Sequence, residues 1–322
     1  MTLYRLRLEP RGPYATPFLA DTLMGHLCWA AVRLQGQAGL DELLESARKG
    51  QPRVVVSDGF PGDLLPMPVL PPTVIPGGDV VTQRAHFRRQ KSQRKASMIA
   101  LEDFRRIING EGVAPTDLTE EQKKWLPKPR GVLKNSIDRN TSTTPDADQG
   151  GGLYEFQETF ERQVTVYAQI ADGFLDTFKT LLAYLAETGY GKRKSIGYGA
   201  LTSAPSVEPF SGFGGPAGSE ANAFVSLSTF VPEKRDPTDG YWQIMVKYGK
   251  LGEEFAVSEN PFKKPLLMLR AGAVFHLNGN PLREHYGRIV EDVSYLPPEV
   301  ARVVQYALGL PVAMKLPEEQ VK

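Results

Sequence analysis

Two helical runs, each set between strand-like runs, limit what this chain can fold into. DTLMGHLCWAAVRL puts Leu23, Met24, Leu27, Cys28 and Ala31 on one face at three-to-four spacing, with Asp21 or Thr22 able to cap its start. DGFLDTFKTLLAYLAETG does the same with Phe174, Phe178, Leu181, Leu182 and Leu185, has Asp172 as a cap, and ends on Gly189, where a helix stop belongs. The first helix follows the alternating strand YRLRLEP (residues 4–10) and precedes RVVVSDGF (53–60). The second follows LYEFQETF and QVTVYAQI (153–160 and 163–170), whose short polar link reads as a hairpin, and precedes a strand within YGALTSAP. That is close to the β-α-β-β-α-β order of a ferredoxin-like (RRM-like) α+β domain, here residues 1–205.

At 322 residues the chain is somewhat beyond the size at which single cores tend to divide, which favours a second domain at 206–322. The glycine- and proline-rich stretch 203–223 reads as the linker. Beyond it lie short strand-like runs, FVSLSTFVP, YWQIMVKYG, PLLMLRAGAVFHL, RIVEDV and GLPVAMKL, so the second domain is expected to be smaller and β-rich, a degenerate ferredoxin-like copy. EVARVVQYAL, after Pro297 and Pro298, fits a helix or a strand equally well.

The first domain is interrupted. LLPMPVLPPTVIPGG carries prolines too densely for a helix or a central strand and leads into an insertion at about 80–152. There the charge is concentrated. Residues 84–95 hold six bases and no acid, and 84–139 hold 14 Lys plus Arg against seven Asp plus Glu, while the whole chain carries only +1. SMIALEDFRRIINGEG can form a short amphipathic helix from Met98, Leu101, Phe104, Ile107 and Ile108, and the polar, turn-rich remainder suggests that the segment projects from the core. No run approaches the roughly 20 apolar residues of a membrane span, and the start lacks the apolar stretch of a signal peptide. Cys28 stands alone and there are four histidines, so neither a disulfide nor a structural zinc site is expected. A cytoplasmic location follows as the expectation.

The sharpest motif is ETGYGKRKSIGYGALT. Gly189, Gly191, Gly197 and Gly199 bracket Lys192, Arg193, Lys194 and Ser195 directly after the second helix. Glycines permit tight turns whose amides can cradle phosphate, and three adjacent bases add charge. We read the loop as an RNA-backbone contact; the plainer alternative is a tight connection with a solvated basic tip. It lacks the GxxxxGK[ST] spacing of a P-loop and the helix-opening GxGxxG of a dinucleotide site, so no nucleotide cofactor is expected. Tyr190 and Tyr198 in the loop are candidates for stacking on splayed bases, with Phe87 and Trp125 behind them. The basic insertion adds Arg84, Arg88, Arg89, Lys91, Lys134 and Arg139 as RNA-binding candidates. A chain this close to neutral is expected to grip RNA locally and to use the rest of its surface for protein partners.

Taken together, the ferredoxin-like order, the loop GYGKRKSIGYG, the early DTLMG and the segment SIDRNTSTT before GGLYEF resemble the RAMP superfamily of CRISPR proteins. Within it they resemble the Cas-five group of type III-A effector complexes, in the position of subunit four of the Csm complex. The resemblance covers most of the chain and is weak in the last hundred residues. It implies a subunit that is not the nuclease and holds the repeat-derived 5′ tag of the crRNA. It also implies contact with a Cas10-type large subunit and a backbone RAMP subunit, and makes the insertion a thumb near the guide–target RNA duplex. Ser136, Ile137, Asp138, Arg139 and Thr141 would lie in the thumb's returning arm.

RAMP relatives that process crRNA use a histidine or similar acid–base group, so a metal-independent endoribonuclease centred on His26 is an alternative. The capping subunit of a Cmr complex and a general RNA-binding ferredoxin-like protein are others. His26 lies beside an apolar helix face with no second histidine near in sequence, and reads as a packed residue. His276 and His285 lack a recognisable partner set. The pairs Asp58/Asp63 and Asp146/Asp148 are ordinary turn chemistry. No catalytic residue, metal ligand or cofactor is assigned.

Overall fold

The computed structural model describes residues 1–71, 79–84, 97–111, 115–138, 140–145, 152–217, 220–297 and 299–317. Its first half runs β1 (Thr2–Leu8), α1 (Ala20–Arg48), β2 (Val54–Val56), β3 (Phe60–Pro61), β4 (Leu64–Pro66), β5 (Met98–Ala100), α2 (Leu101–Ile108), α3 (Glu120–Lys123), β6 (Lys128–Asn135), β7 (Leu153–Phe160), β8 (Val164–Ile170), α4 (Leu175–Thr188) and β9 (Ser206–Pro209). The main sheet has the order β2-β8-β1-β9, antiparallel throughout, with β3 on a further stretch of β8. This is the ferredoxin-like arrangement, in which the two helix-connected strand pairs interleave.

Alternation decides which face each strand buries. Leu6 and Leu8 of β1 are buried, while Arg5 and Arg7, which alternate with them, face the other side of the sheet. β8, paired on both sides, is buried along almost its whole length. Helix α1 runs 29 residues with a break at Gly36, and buries Leu23, Met24, Leu27, Ala30 and Ala31 before the break and Leu43, Leu44 and Ala47 after it. Neither Asp21 nor Thr22 is its cap. Leu19 holds the cap position, and the amide of Ala20 donates to Oδ1 of Asp58 at 2.8 Å. A carboxylate from a distant turn thus satisfies one of the donors that a local cap would have taken. Likewise α4 starts after Phe174 instead of Asp172, though Gly189 ends it as expected, at φ +80°.

Three expectations change. β7 and β8 do not form a hairpin: β7 pairs with β6 from Lys128↔Phe160 to Asn135↔Leu153, and β8 enters the main sheet. β8 has β1 along one edge and β2 and β3 along the other, so no edge of it is left for β7. The last strand of the main sheet is not within YGALTSAP, where Leu201 makes only an isolated bridge to Pro10; it is β9, one residue past the division at 205 and inside the presumed linker. Finally, the insertion does not project throughout. β5 pairs with β4, and α2 sends Phe104, Ile107 and Ile108 into the central core. Its apolar residues are too many to leave in water.

Among the described residues the regular structure of the second half is strand, apart from a short 3₁₀ turn at Glu253–Val257: β10 (Ala223–Ser226), β11 (Gly240–Tyr241), β12 (Ile244–Lys247), β13 (Leu266–Leu269), β14 (Val274–His276), β15 (Tyr286–Val290), β16 (Gln305–Gly309) and β17 (Pro311–Met314). Among the described residues beyond 205 there is no α-helix. A four-stranded sheet has the order β11-β14-β10-β17, and β12–β13 and β15–β16 form two-stranded ribbons. The ambiguous EVARVVQYAL enters β16 as a strand.

One hydrophobic core joins the halves, with Leu6, Val166 and Phe178 of the first in the same cluster as Val225, Leu227, Tyr306 and Leu308 of the second. Polar bonds lie along the seam. Asp58 accepts from the Thr229 amide at 2.9 Å and from its hydroxyl at 2.6 Å, Ser228 donates to the Val56 carbonyl at 2.8 Å, and Tyr306 donates to the Val54 carbonyl at 2.8 Å. Asp21, fully buried, accepts from Lys247 at 2.5 Å and from Gln305, whose own oxygen accepts from Lys263 at 2.6 Å. Burial pushes Asp58 up to about 6 and Lys263 down to about 8.

Candidate functional site

The basic loop is fixed by its glycines. A Cβ on Gly199, at φ +66°, would stand 1.9 Å from the carbonyl oxygen of Tyr190, and one on Gly191, at φ +77°, would stand 2.6 Å from Thr16 Cβ. The loop therefore lies against the segment between β1 and α1. Its amides are largely taken by that contact and by the turn itself. Gly191 donates to Nε2 of His26 at 2.9 Å, Lys192 to the Thr16 hydroxyl at 3.0 Å, Gly197 to the Lys194 carbonyl at 3.1 Å and Gly199 to the Pro13 carbonyl at 2.9 Å. The expectation that the Gly191 and Gly197 amides cradle phosphate is corrected: both already have protein acceptors.

Both loop tyrosines also turn inward. Tyr190 is fully buried, stacked on Phe18 with centroids 4.1 Å apart, and donates to the Pro17 carbonyl at 2.7 Å. Tyr198 is 8% exposed; its hydroxyl donates to Glu158 at 2.6 Å and accepts from Lys134 at 2.7 Å. Neither ring offers a free face to a base. Their role is to anchor the loop, Tyr190 to the core and Tyr198 to the β6–β7 hairpin.

The side chains of the loop do reach a common place, and the hairpin supplies it. Cross-strand pairing puts Arg130 opposite Glu158, Val132 opposite Phe156 and Lys134 opposite Tyr154, on one face. Arg193, in the left-handed conformation at φ 64°, brings its guanidinium to 4.0 Å from the Phe156 centroid and donates to the Tyr154 hydroxyl at 3.1 Å. The ammonium groups of Lys134 and Lys192 lie 5.0 and 5.3 Å from the same ring. Such cation–ring contacts hold like charges together that would otherwise repel. Glu158, buried, binds Arg130, and the Tyr198 hydroxyl and then Arg130 hold its carboxyl below the usual range. Four cations thus gather on this face and Glu158 pairs with one of them, Arg130, while Lys192 remains exposed. The arrangement suits a phosphate backbone passing across this face of the hairpin.

The other loop residues point elsewhere. Lys194 turns away from the hairpin and pairs with Glu253 at 2.5 Å, so the three bases do not act as one patch. Ser195 and Gly197 are exposed at the tip, beside Ile196, and Gly189 is buried at the helix end. Arg84 is exposed at the end of a turn begun by Asp79, whose carboxylate accepts from the Thr82 amide. Arg88, Arg89, Lys91 and Arg139, with Phe87, lie outside the described residues. Ser136, Ile137, Asp138 and Thr141 follow β6 at the hairpin's far end, where Asp138 accepts from the Asn140 and Ser142 amides.

His26 serves the loop as a neutral acceptor. Burial, and then the charge of Lys194, push its imidazole down to about 4, so Nε2 is unprotonated at neutral pH and free to receive the Gly191 N–H. Sequence reasoning passed over Arg130, Tyr154, Phe156 and Glu158. Their signal was present in the alternation of LYEFQETF, which sets Tyr154, Phe156 and Glu158 on one face. Among the described residues no group of three or more His, Cys, Asp or Glu is arranged to hold a metal ion, and no helix is long and apolar enough to cross a membrane.

The family model described as RAMP superfamily matches residues 5–202. No curated protein sequence matches the chain. Among solved structures, the chain is similar to one from the crystal structure of a Csm1–Csm4 cassette in complex with cA4, with a TM-score of 0.64 at 18% identity over 99% of this chain and 100% of that one. The same cassette with pppApA gives 0.62 at 18% identity, again over 99% and 100%. A Csm3–Csm4 subcomplex of the type III-A CRISPR-Cas interference complex gives 0.59 at 11% identity over 98% and 100%. At these identities the likeness is one of fold, and it extends through the second half of the chain.

Proposed function

The chain belongs to the RAMP superfamily, and from that premise we propose that it is a non-catalytic subunit of a type III-A CRISPR effector complex, in the position of subunit four. In this reading it holds the 5′ tag of the crRNA on the face of the β6–β7 hairpin that the glycine loop meets. The observation that carries the reading is the gathering of Lys134, Lys192 and Arg193 around Phe156, where the glycine loop meets the hairpin. Backbone phosphates would lie on the cations, and the hairpin would be the thumb that leans toward the guide–target duplex.

The similar chains come from assemblies of Csm1 with Csm4 and of Csm3 with Csm4. They support a Cas10-type large subunit and a backbone RAMP subunit as this chain's partners. His26, as a buried neutral acceptor for a loop amide, supports a scaffolding role for the histidine on which the nuclease alternative rests.

The test is co-expression with a CRISPR array and candidate partner subunits, purification through this chain, and sequencing of the RNA that accompanies it. Guide RNAs sharing one repeat-derived 5′ end, in a particle with a Cas10-type protein, are expected. Random RNA without such a partner would overturn the reading.

A further inference from the structure

Lys194 is set apart from the other loop bases by its partner. Its ammonium lies 2.5 Å from Oε1 of Glu253, and both side chains are 27% exposed. Glu253 opens the 3₁₀ turn Glu253–Val257, which is clamped to α1. Leu251 just before it is buried, Phe255 faces the Trp29 ring at 6.1 Å, and Glu254 pairs with Arg33 at 2.6 Å. The backbone of Glu253 is in the left-handed region, φ 51°, which a residue with a Cβ disfavours. The turn thus holds a carboxylate, in an unfavourable conformation, against a base of the loop that faces RNA in the reading above.

A carboxylate oxygen and a phosphate oxygen are equivalent partners for an ammonium group. The pair is partly exposed, and ion pairs open to solvent are weak, so a well-placed phosphate can replace Glu253, while a poorly placed one gains little by doing so. We propose that Glu253 is a specificity-determining residue of the RNA site, which keeps Lys194 neutralised until a correctly seated backbone phosphate takes its place. Random RNA then meets the hairpin-side cations alone, and the tag RNA meets those and Lys194. The inference rests on the reading of this loop as the RNA contact.

The test uses the full chain, with tag-bearing and scrambled RNA of equal length, titrated by fluorescence anisotropy over a range of salt. Glu253→Gln keeps the shape and removes the charge. It should tighten scrambled RNA about threefold to tenfold, steepen its log–log salt slope by about 0.7, and change tag RNA little. Lys194→Ala should weaken tag RNA and abolish the effect of a second Glu253→Gln change. Unchanged binding in Glu253→Gln, or equal tightening of both RNAs, would overturn the inference. The parent reading fails separately: it falls, and this inference with it, if Lys192→Ala/Arg193→Ala leaves tag binding intact. If that variant loses tag binding while Glu253→Gln changes nothing, the parent reading stands and the role of Glu253 does not.

Discussion

Gly199 and Gly197 have similar backbones and opposite surroundings. At Gly199 an added Cβ would overlap the Tyr190 carbonyl, while at Gly197, φ +89°, it would meet nothing within 4 Å. Gly197→Ala is therefore expected to cost about 1 kcal/mol from backbone strain alone. Gly199→Ala should cost roughly 2–4 kcal/mol because the loop must move as well. Urea unfolding of the two variants measures the difference, and equal costs would contradict the packing. His26 gives a prediction in pH. Its folded value, about 4, lies below the ordinary 6.5, so its contribution to stability is complete above about pH 6.5 and is lost as the pH falls toward 4. His26→Gln retains an acceptor but does not titrate. Its stability deficit relative to the parent should shrink by up to about 3 kcal/mol across that window, read from melts at a series of pH values. A constant gap would mean that His26 does not titrate there.

The hairpin and the loop form the site only together, and two variants separate their parts. Phe156→Ala removes the ring on which three cations gather and should weaken tag-RNA binding about fivefold to tenfold. Replacing Lys192, Arg193 and Lys194 together with alanine should weaken it further and flatten the log–log salt dependence by about 2. An unchanged slope would remove the loop from the RNA site. What was legible in the sequence follows the range of each interaction. The two main helices and the glycine loop are written in local spacing and stand where expected, whereas the last strand of the main sheet lies further along, at Ser206–Pro209. Strand partners are not so written: β7 pairs with β6, and β8 has both its edges filled by the distant β1, β2 and β3. Tyr190 and Tyr198 look like stacking residues because sequence shows their neighbours and not the core behind them. The cap of α1 comes from Asp58, a distance no local rule covers.

The two halves share their interior. Tyr306 and Leu308 lie in the same cluster as Val54 and Leu27, and Asp58 ties the start of α1 to Thr229. A fragment of residues 1–205 would lose β9, expose that apolar surface and leave the Ala20 amide with an acceptor that has lost its other partner. It is expected to lack a cooperative thermal transition by circular dichroism, whereas the full chain should melt in one step. A cooperative melt of the fragment would show two independent cores. The path of the chain through β7 has a consequence for how force travels. Three residues after leaving the hairpin it becomes β8, an inner strand of the main sheet. At the root Tyr14 exchanges both backbone bonds with Thr159, and Glu158 ties Tyr198 and Arg130. In mechanical terms the hairpin is a cantilever whose clamp is the basic loop: a load on the free end is felt as torque where the RNA backbone would be held.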